Sequence, residues 1–168
     1  MDAMQMLTTR RSVRKFKQDP VPRELLEKIV DAGRLAPTAR NVQPWEFVVV
    51  TDAAKRAALA EINDHGKFIA QAPACIVVLS QPTKYYLEDG AAATTNMLNA
   101  AAALGLGSCW VAGDKKPYAA KIVQMVGAPP DMRLVASIAL GYPDETLTPA
   151  VKKRALADVL HWERFERS

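Results

Sequence analysis

Three short apolar runs, EFVVVT at 46–51, ACIVVLS at 74–80 and LVASIALG at 134–141, most narrowly limit what this chain can fold into. Runs of this length and composition read as strands, and apolar side chains at nearly every position call for cover on both faces. That cover must come from the intervening segments, and these carry helix signals. PVPRELLEKIVDAGRLAP (20–37) sets Leu25, Leu26, Ile29 and Val30 on one stripe between Pro22 near its start and Pro37 at its stop. Thr51 or Asp52 can cap a helix reaching about Ile62, and residues 3–9 can form a short one.

A long helix is expected from Glu88 to Leu104, where AAATTNMLNAAAA lets another helix or a symmetry mate approach closely and Gly105 ends it. SCWVAG is then a short strand or loop, and PYAAKIVQMV a helix closed by Gly127. Strands interleaved with helices on both sides predict a single α/β or α+β layered domain; the pattern does not order the sheet. At 168 residues there is room for one such unit.

Composition removes several classes of function. No apolar run approaches the roughly 20 residues that cross a bilayer, and MDAMQMLTTRR lacks a signal-peptide apolar region, so cytoplasmic residence without a membrane partner is expected. Cys75 and Cys109 are far apart, with only His65 and His161 to assist them, which suggests neither a disulfide framework nor a zinc site. The net charge of +4 lies wholly in residues 1–40, with nine Lys or Arg against five Asp or Glu. That segment also holds the amphipathic pattern, so a basic site inside a folded domain is favoured over nucleic-acid binding.

Four segments can carry chemistry. In TRRSVRKF, Arg10, Arg11, Ser12 and Arg14 offer guanidinium forks and a hydroxyl, and an extended backbone sends Arg10, Ser12 and Arg14 the same way. The alternative is a solvated basic face. In PTARNVQPWEF (37–47), Thr38, Asn41 and Gln43 can meet the polar edge of a heterocycle, with Pro37 and Pro44 as stiffeners and Trp45 as apolar area; the alternative is a turn bonded to itself. GLGSCWVAGD (105–114) follows a helix and lacks a third glycine at the required spacing, so it is no dinucleotide fingerprint, though its glycines allow close approach of a flat ligand. Lys152, Lys153 and Arg154 form a second basic cluster near the other end of the chain.

In this order the segments RRSVRKF, APTARNVQPWEFVVV, the Ala-rich helix leading into GLGSCW, and the basic stretch before ALADVLHWERF resemble the nitroreductase family of FMN enzymes. The resemblance implies an α+β nitroreductase-like layered fold over 1–168, with a central mixed, mainly antiparallel sheet flanked by helices. It also implies an intertwined homodimer, in which a tail from about residue 150 packs on the partner subunit. Arg10, Ser12 and Arg14 would then hold the phosphate, ribityl and pyrimidine side of FMN, with Lys152 and Arg154 closing on the phosphate. Thr38, Asn41 and Gln43 would reach in from the other subunit, beside Pro37 and an Ala39 that lacks the hydroxyl often found there. Trp110, Val111, Ala112 and Gly113 would lie against the isoalloxazine with a backbone N–H near its N5 atom, Ala112 lacking the acidic side chain of the enteric members. Lys67 is the candidate second flavin-facing cation.

The implied activity is hydride transfer from NADH or NADPH through flavin N5 to a small acceptor, such as a nitroaromatic, quinone, enone or flavin, by a ping-pong cycle. No side-chain nucleophile is required, and no defensible Ser/His/Asp or Cys/His arrangement is present. Alternatives are a specialised dehydrogenase of one metabolite on the same fold, and a flavin storage or sensor protein without turnover.

Overall fold

The computed structural model describes residues 2–144 and 153–165. Four strands, β1 (Trp45–Val50), β2 (Ala74–Ser80), β3 (Gly107–Ala112) and β4 (Arg133–Gly141), form one sheet in the order β1-β2-β4-β3. Every neighbouring pair is antiparallel. A parallel bridge, Ser12 to Ser108, brings the N-terminal segment against the outer edge of β3.

Among the described residues five α-helices surround the sheet: α1 (Ala3–Thr9), α2 (Arg23–Arg34), α3 (Ala53–Ile62), α4 (Tyr86–Ala103) and α5 (Ala119–Met125). Side chains alternate across a strand, so fully buried β2 sends Ile76 and Val78 to one face and Cys75, Val77 and Leu79 to the other. The first face packs with Leu26 and Ile29 of α2 and Met97 and Leu98 of α4. The second packs with Leu59 of α3 and Ile122 and Val123 of α5. The result is an α+β protein of three layers, with the sheet in the middle.

Local signals account for the helix ends. Pro22 stands at the N-cap of α2, the Asp52 carboxylate accepts the Lys55 N–H at 2.8 Å to open α3, and Gly105 and Gly127 take positive φ just after α4 and α5. The small residues of α4 are used within the chain: a Cβ on Gly33 of α2 would stand 2.8 Å from Met97, and one on Gly90 would stand 2.6 Å from Val135 of β4. The stripe of small side chains thus lets α4 press against α2 and the sheet.

One expectation is corrected. EFVVV was expected to be covered on both faces, but β1 is an edge strand in which Val49 is exposed and Phe47 and Val48 are half-buried. Between this edge and α2 runs a groove of about 820 Å³, lined in part by Leu26, Val30, Val49 and Arg56. The described part of the tail, 153–165, holds a short 3₁₀ turn at Leu156–Asp158 and leaves Trp162 77% and Phe165 70% exposed. Among the described residues, no helix is long and apolar enough to cross a membrane.

Candidate functional site

The basic segment 10–14 is fastened along β3 by its backbone. The Val13 N–H donates to the Ser108 carbonyl at 3.0 Å, and a few residues on the Lys17 N–H donates to the Tyr142 carbonyl at 2.9 Å. Val13 is buried between Ser12 and Arg14, which alternation turns outward. Gly107 permits this close seat, because a Cβ there would come within 2.8 Å of three Val13 side-chain atoms.

The cations and hydroxyl converge near Cys109 of β3. Burial pushes that thiol's pKa up, opposed by the Arg14 charge, a hydrogen bond with Ser12 and the Arg10 charge. Arg14 also lies over the Phe68 ring, 5.9 Å from its centroid. Arg11 departs from the group: its guanidinium folds back to the Thr8 and Arg10 carbonyls at 3.0 and 2.8 Å, supplying donors where α1 ends.

A pocket of about 260 Å³ opens beside this segment, lined by Arg14, Cys109, Trp110, Val111, Ala112, His65, Phe68, Lys116 and Tyr118. Its strand wall is an edge with a definite polarity. In the antiparallel register Gly107, Cys109 and Val111 face β4 with their peptide groups, and the Gly113 N–H continues that ladder to the Val135 carbonyl at 3.1 Å. The peptide groups of Ser108, Trp110 and Ala112 therefore point outward, as the bond from Val13 to Ser108 demonstrates at the first of them. Gly113 itself is a packing glycine, since a Cβ there would reach 2.4 Å from Leu134.

The remaining residues singled out from sequence lie elsewhere. β1 is the sheet edge opposite β3, and the 37–43 loop leads directly into it. The Ala39 N–H is held by the buried Asp89 carboxylate at 3.0 Å, and the Gln43 N–H by the Thr38 hydroxyl at 3.1 Å. Pro37, Asn41 and Gln43 are exposed, and positive φ at Arg40, Asn41 and Gln43 marks a backbone held in a sparsely used conformation. Lys67 is exposed and donates to the Glu61 carbonyl at 2.8 Å, while the pocket takes Lys116 into its lining. Arg154 bonds the Asp158 carbonyl within the tail. Lys152 lies outside the described residues.

Sequence reasoning missed His65, Phe68, Cys109, Lys116 and Tyr118. Only Cys109 had a usable signal, its place beside Trp110 in a glycine-flanked strand. His65 and Phe68 come from a loop and turn about 40 residues earlier in the chain and meet β3 only in the folded structure, while Lys116 and Tyr118 belong to the turn that follows the strand. Among the described residues, no group of three His, Cys, Asp or Glu is arranged to hold a metal ion.

Fold and site define an α+β layered protein whose exposed sheet edge is flanked by guanidinium groups and aromatic rings. The chain belongs to the nitroreductase family, whose model matches residues 7–65 and 64–142. A protein of Archaeoglobus fulgidus provisionally named as an NADH dehydrogenase/NAD(P)H nitroreductase is 34% identical over 98% of this chain and 99% of its own length. An FMN-dependent nitroreductase from Clostridium difficile superposes with a TM-score of 0.90 at 31% identity, covering 96% of this chain and 99% of that one. A Bacteroides fragilis nitroreductase with bound FMN superposes with a TM-score of 0.81 at 25% identity, covering 97% and 100% of the two chains.

Proposed function

We propose that this protein is an FMN-dependent oxidoreductase that draws electrons from NADH or NADPH and passes them to a small organic acceptor, working as a homodimer. The observation carrying this reading is the basic segment laid along the outer edge of β3. Its donor set fits FMN in kind. Arg10, Ser12 and Arg14 supply charge-assisted donors suited to phosphate and to pyrimidine oxygens, while Trp110 and Val111 offer apolar area for a flat ring. The outward peptide N–H groups of Trp110 and Ala112 supply donors along the same edge.

FMN, when bound, accepts and donates electron pairs, chemistry that no side chain provides. The protein's part is to bind, orient and stabilise charge. Arg14 lines the pocket, and its guanidinium would stabilise negative charge developing on a reduced ring held there. Phe68, Trp110 and Tyr118 line the pocket and offer apolar surface to a planar ring.

Two features favour completion of the site by a second copy. The pocket's 260 Å³ is below the usual range of about 300–1,000 Å³ for ligand sites, and the Thr38–Gln43 loop stands at the opposite sheet edge. The exposed Leu156, Val159, Trp162 and Phe165 need cover, and the groove between α2 and β1 offers an apolar seat with an open strand edge. A C2 dimer would satisfy both needs reciprocally.

The test is spectroscopic. The purified protein should be yellow, run at twice 18.3 kDa in light scattering, and bleach anaerobically with NADH or NADPH. A nitroaromatic or quinone should restore the colour. A colourless protein that takes up no FMN would overturn the proposal, and a yellow one that neither nicotinamide bleaches would favour the storage or sensor role.

A further inference from the structure

We propose that Asp89 is a positioning residue for the flavin site, holding the 38–43 loop so that Asn41 and Gln43 can serve the flavin of a second copy of the chain. The inference rests on the oxidoreductase and homodimer reading above and names a residue that acts through another. Asp89 stands in the first turn of α4, where unpaired backbone N–H groups favour a negative charge, yet it is only 5% exposed. Burying a carboxylate is costly unless it accepts hydrogen bonds. Its Oδ1 accepts the Ala39 N–H at 3.0 Å, across 50 residues of chain.

The loop needs such a hold. Arg40, Asn41 and Gln43 take φ of 53°, 56° and 53°, a left-handed conformation that is unfavourable for residues with a Cβ and persists where the surroundings impose it. The remaining bonds of the loop are internal. The Asn41 N–H donates to the Thr38 carbonyl at 3.1 Å, the Val42 N–H to the Ala39 carbonyl at 3.2 Å, and the Gln43 N–H to the Thr38 hydroxyl at 3.1 Å, while the Gln43 amide reaches the Asn41 carbonyl at 3.4 Å. These bonds close turns without fixing them to the protein. The flanks are seated separately, Ala36 and Trp45 packing with Ala93, one turn along α4 from Asp89. Among the described residues, the bond from Ala39 to Asp89 is thus the polar tie between the loop and the helix. Asn41 and Gln43 are exposed, so a shift at Ala39 passes directly to both side chains.

The experiment reads FMN affinity by fluorescence quenching in the full chain. Asp89→Ala should bind FMN about tenfold more weakly, and Asp89→Asn, which keeps an acceptor oxygen, should retain most of the affinity. Ala39→Pro removes the donor instead, after an extended Thr38 (φ −129°, ψ 154°) that suits a following proline, and should match Asp89→Ala. Combining the two should weaken binding little more than either alone. Asn96→Ala removes a bond of 3.1 Å from α4 to the Ala32 carbonyl, and should lower the urea midpoint while leaving FMN affinity unchanged. Hybrid dimers decide whose site the loop serves. Pairing an Asp89→Ala or Ala39→Pro subunit with an Arg10→Ala subunit leaves one pocket and one loop unaltered, and these meet only across the interface. One FMN per hybrid dimer should then bind with parental affinity. A hybrid without a tight site, unchanged affinity in Asp89→Ala and Ala39→Pro, or an equal loss in Asn96→Ala would overturn the assignment. If parent and hybrid bind FMN as expected but neither nicotinamide reduces it, the role of Asp89 stands and the oxidoreductase reading fails.

Discussion

Gly107→Ala tests whether the seat of segment 10–14 on β3 governs cofactor binding. The added Cβ would lie 2.8 Å from the Cβ, Cγ1 and Cγ2 of Val13, against about 3.5–4.0 Å for relaxed carbon contacts. All three atoms are equally close, so rotation of this stiff β-branched side chain brings no relief. The backbone of 12–14 must retreat by about 1 Å, stretching the 3.0 Å bond from Val13 to Ser108. Overpacking costs about 1–3 kcal/mol and the weakened bond about 1 kcal/mol, so urea denaturation should report a loss of about 2–4 kcal/mol. Arg10, Ser12 and Arg14 ride on the same backbone. Losing one charge-assisted bond costs about 1.5–3 kcal/mol, which makes FMN bind about 10- to 150-fold more weakly in a fluorescence-quenching titration. Gly105→Ala is the control: nothing lies within 4 Å of its Cβ, and its φ of +77° costs about 1 kcal/mol of stability with FMN affinity preserved. A folded Gly107→Ala protein that binds FMN as tightly as its parent would refute the reasoning.

Five further outcomes are expected. Arg10→Ala should weaken FMN by about 1.5–3 kcal/mol, whereas Arg11→Ala, whose guanidinium turns back on α1, should leave the same titration nearly unchanged. Deleting the chain from residue 150 onward should yield a colourless monomer by gel filtration; a yellow dimer would show that the tail covers nothing. Tyr86→Phe removes the partner of Asp114, a bond of about 1 kcal/mol, and should lower the urea midpoint. Burial pushes the Cys75 thiol up to about 12 and Cys109 upward as well, so neither should react with a disulfide reagent at pH 8 until the protein unfolds. Because both thiols hold their protons more tightly folded than unfolded, they add stability below about pH 9 that is lost as pH rises toward 12. A pH–stability profile flat across that interval would contradict this.

Much of the architecture was legible in the chain because its signals are local. Pro22, Asp52, Gly105 and Gly127 punctuate helices through backbone geometry and capping that need no distant partner. Apolar runs identified β1, β2 and β4, and the glycine-flanked SCWVA marked β3 less sharply. Arg10, Ser12 and Arg14 were legible as a convergent group because alternation along an extended segment is itself local. Arg11 was not separable from them, since its hydrogen bonds depend on where α1 ends.

The sheet order was decided by tertiary structure alone. Apolar runs state that strands exist and are buried, but β1-β2-β4-β3 follows from which helices cover which face. That order makes β1 an edge, leaves Val49 exposed despite its apolar neighbours, and puts the Thr38–Gln43 loop across the sheet from Arg14. It also brings His65 and Phe68 to β3, beside the Lys116 that follows the strand in the chain, and leaves Lys67 out of the pocket lining. Spacing along the chain carries periodicity, which fixes the direction of a side chain within its own element. The meeting of side chains from different elements depends on how those elements pack, and that is settled only when the whole core closes.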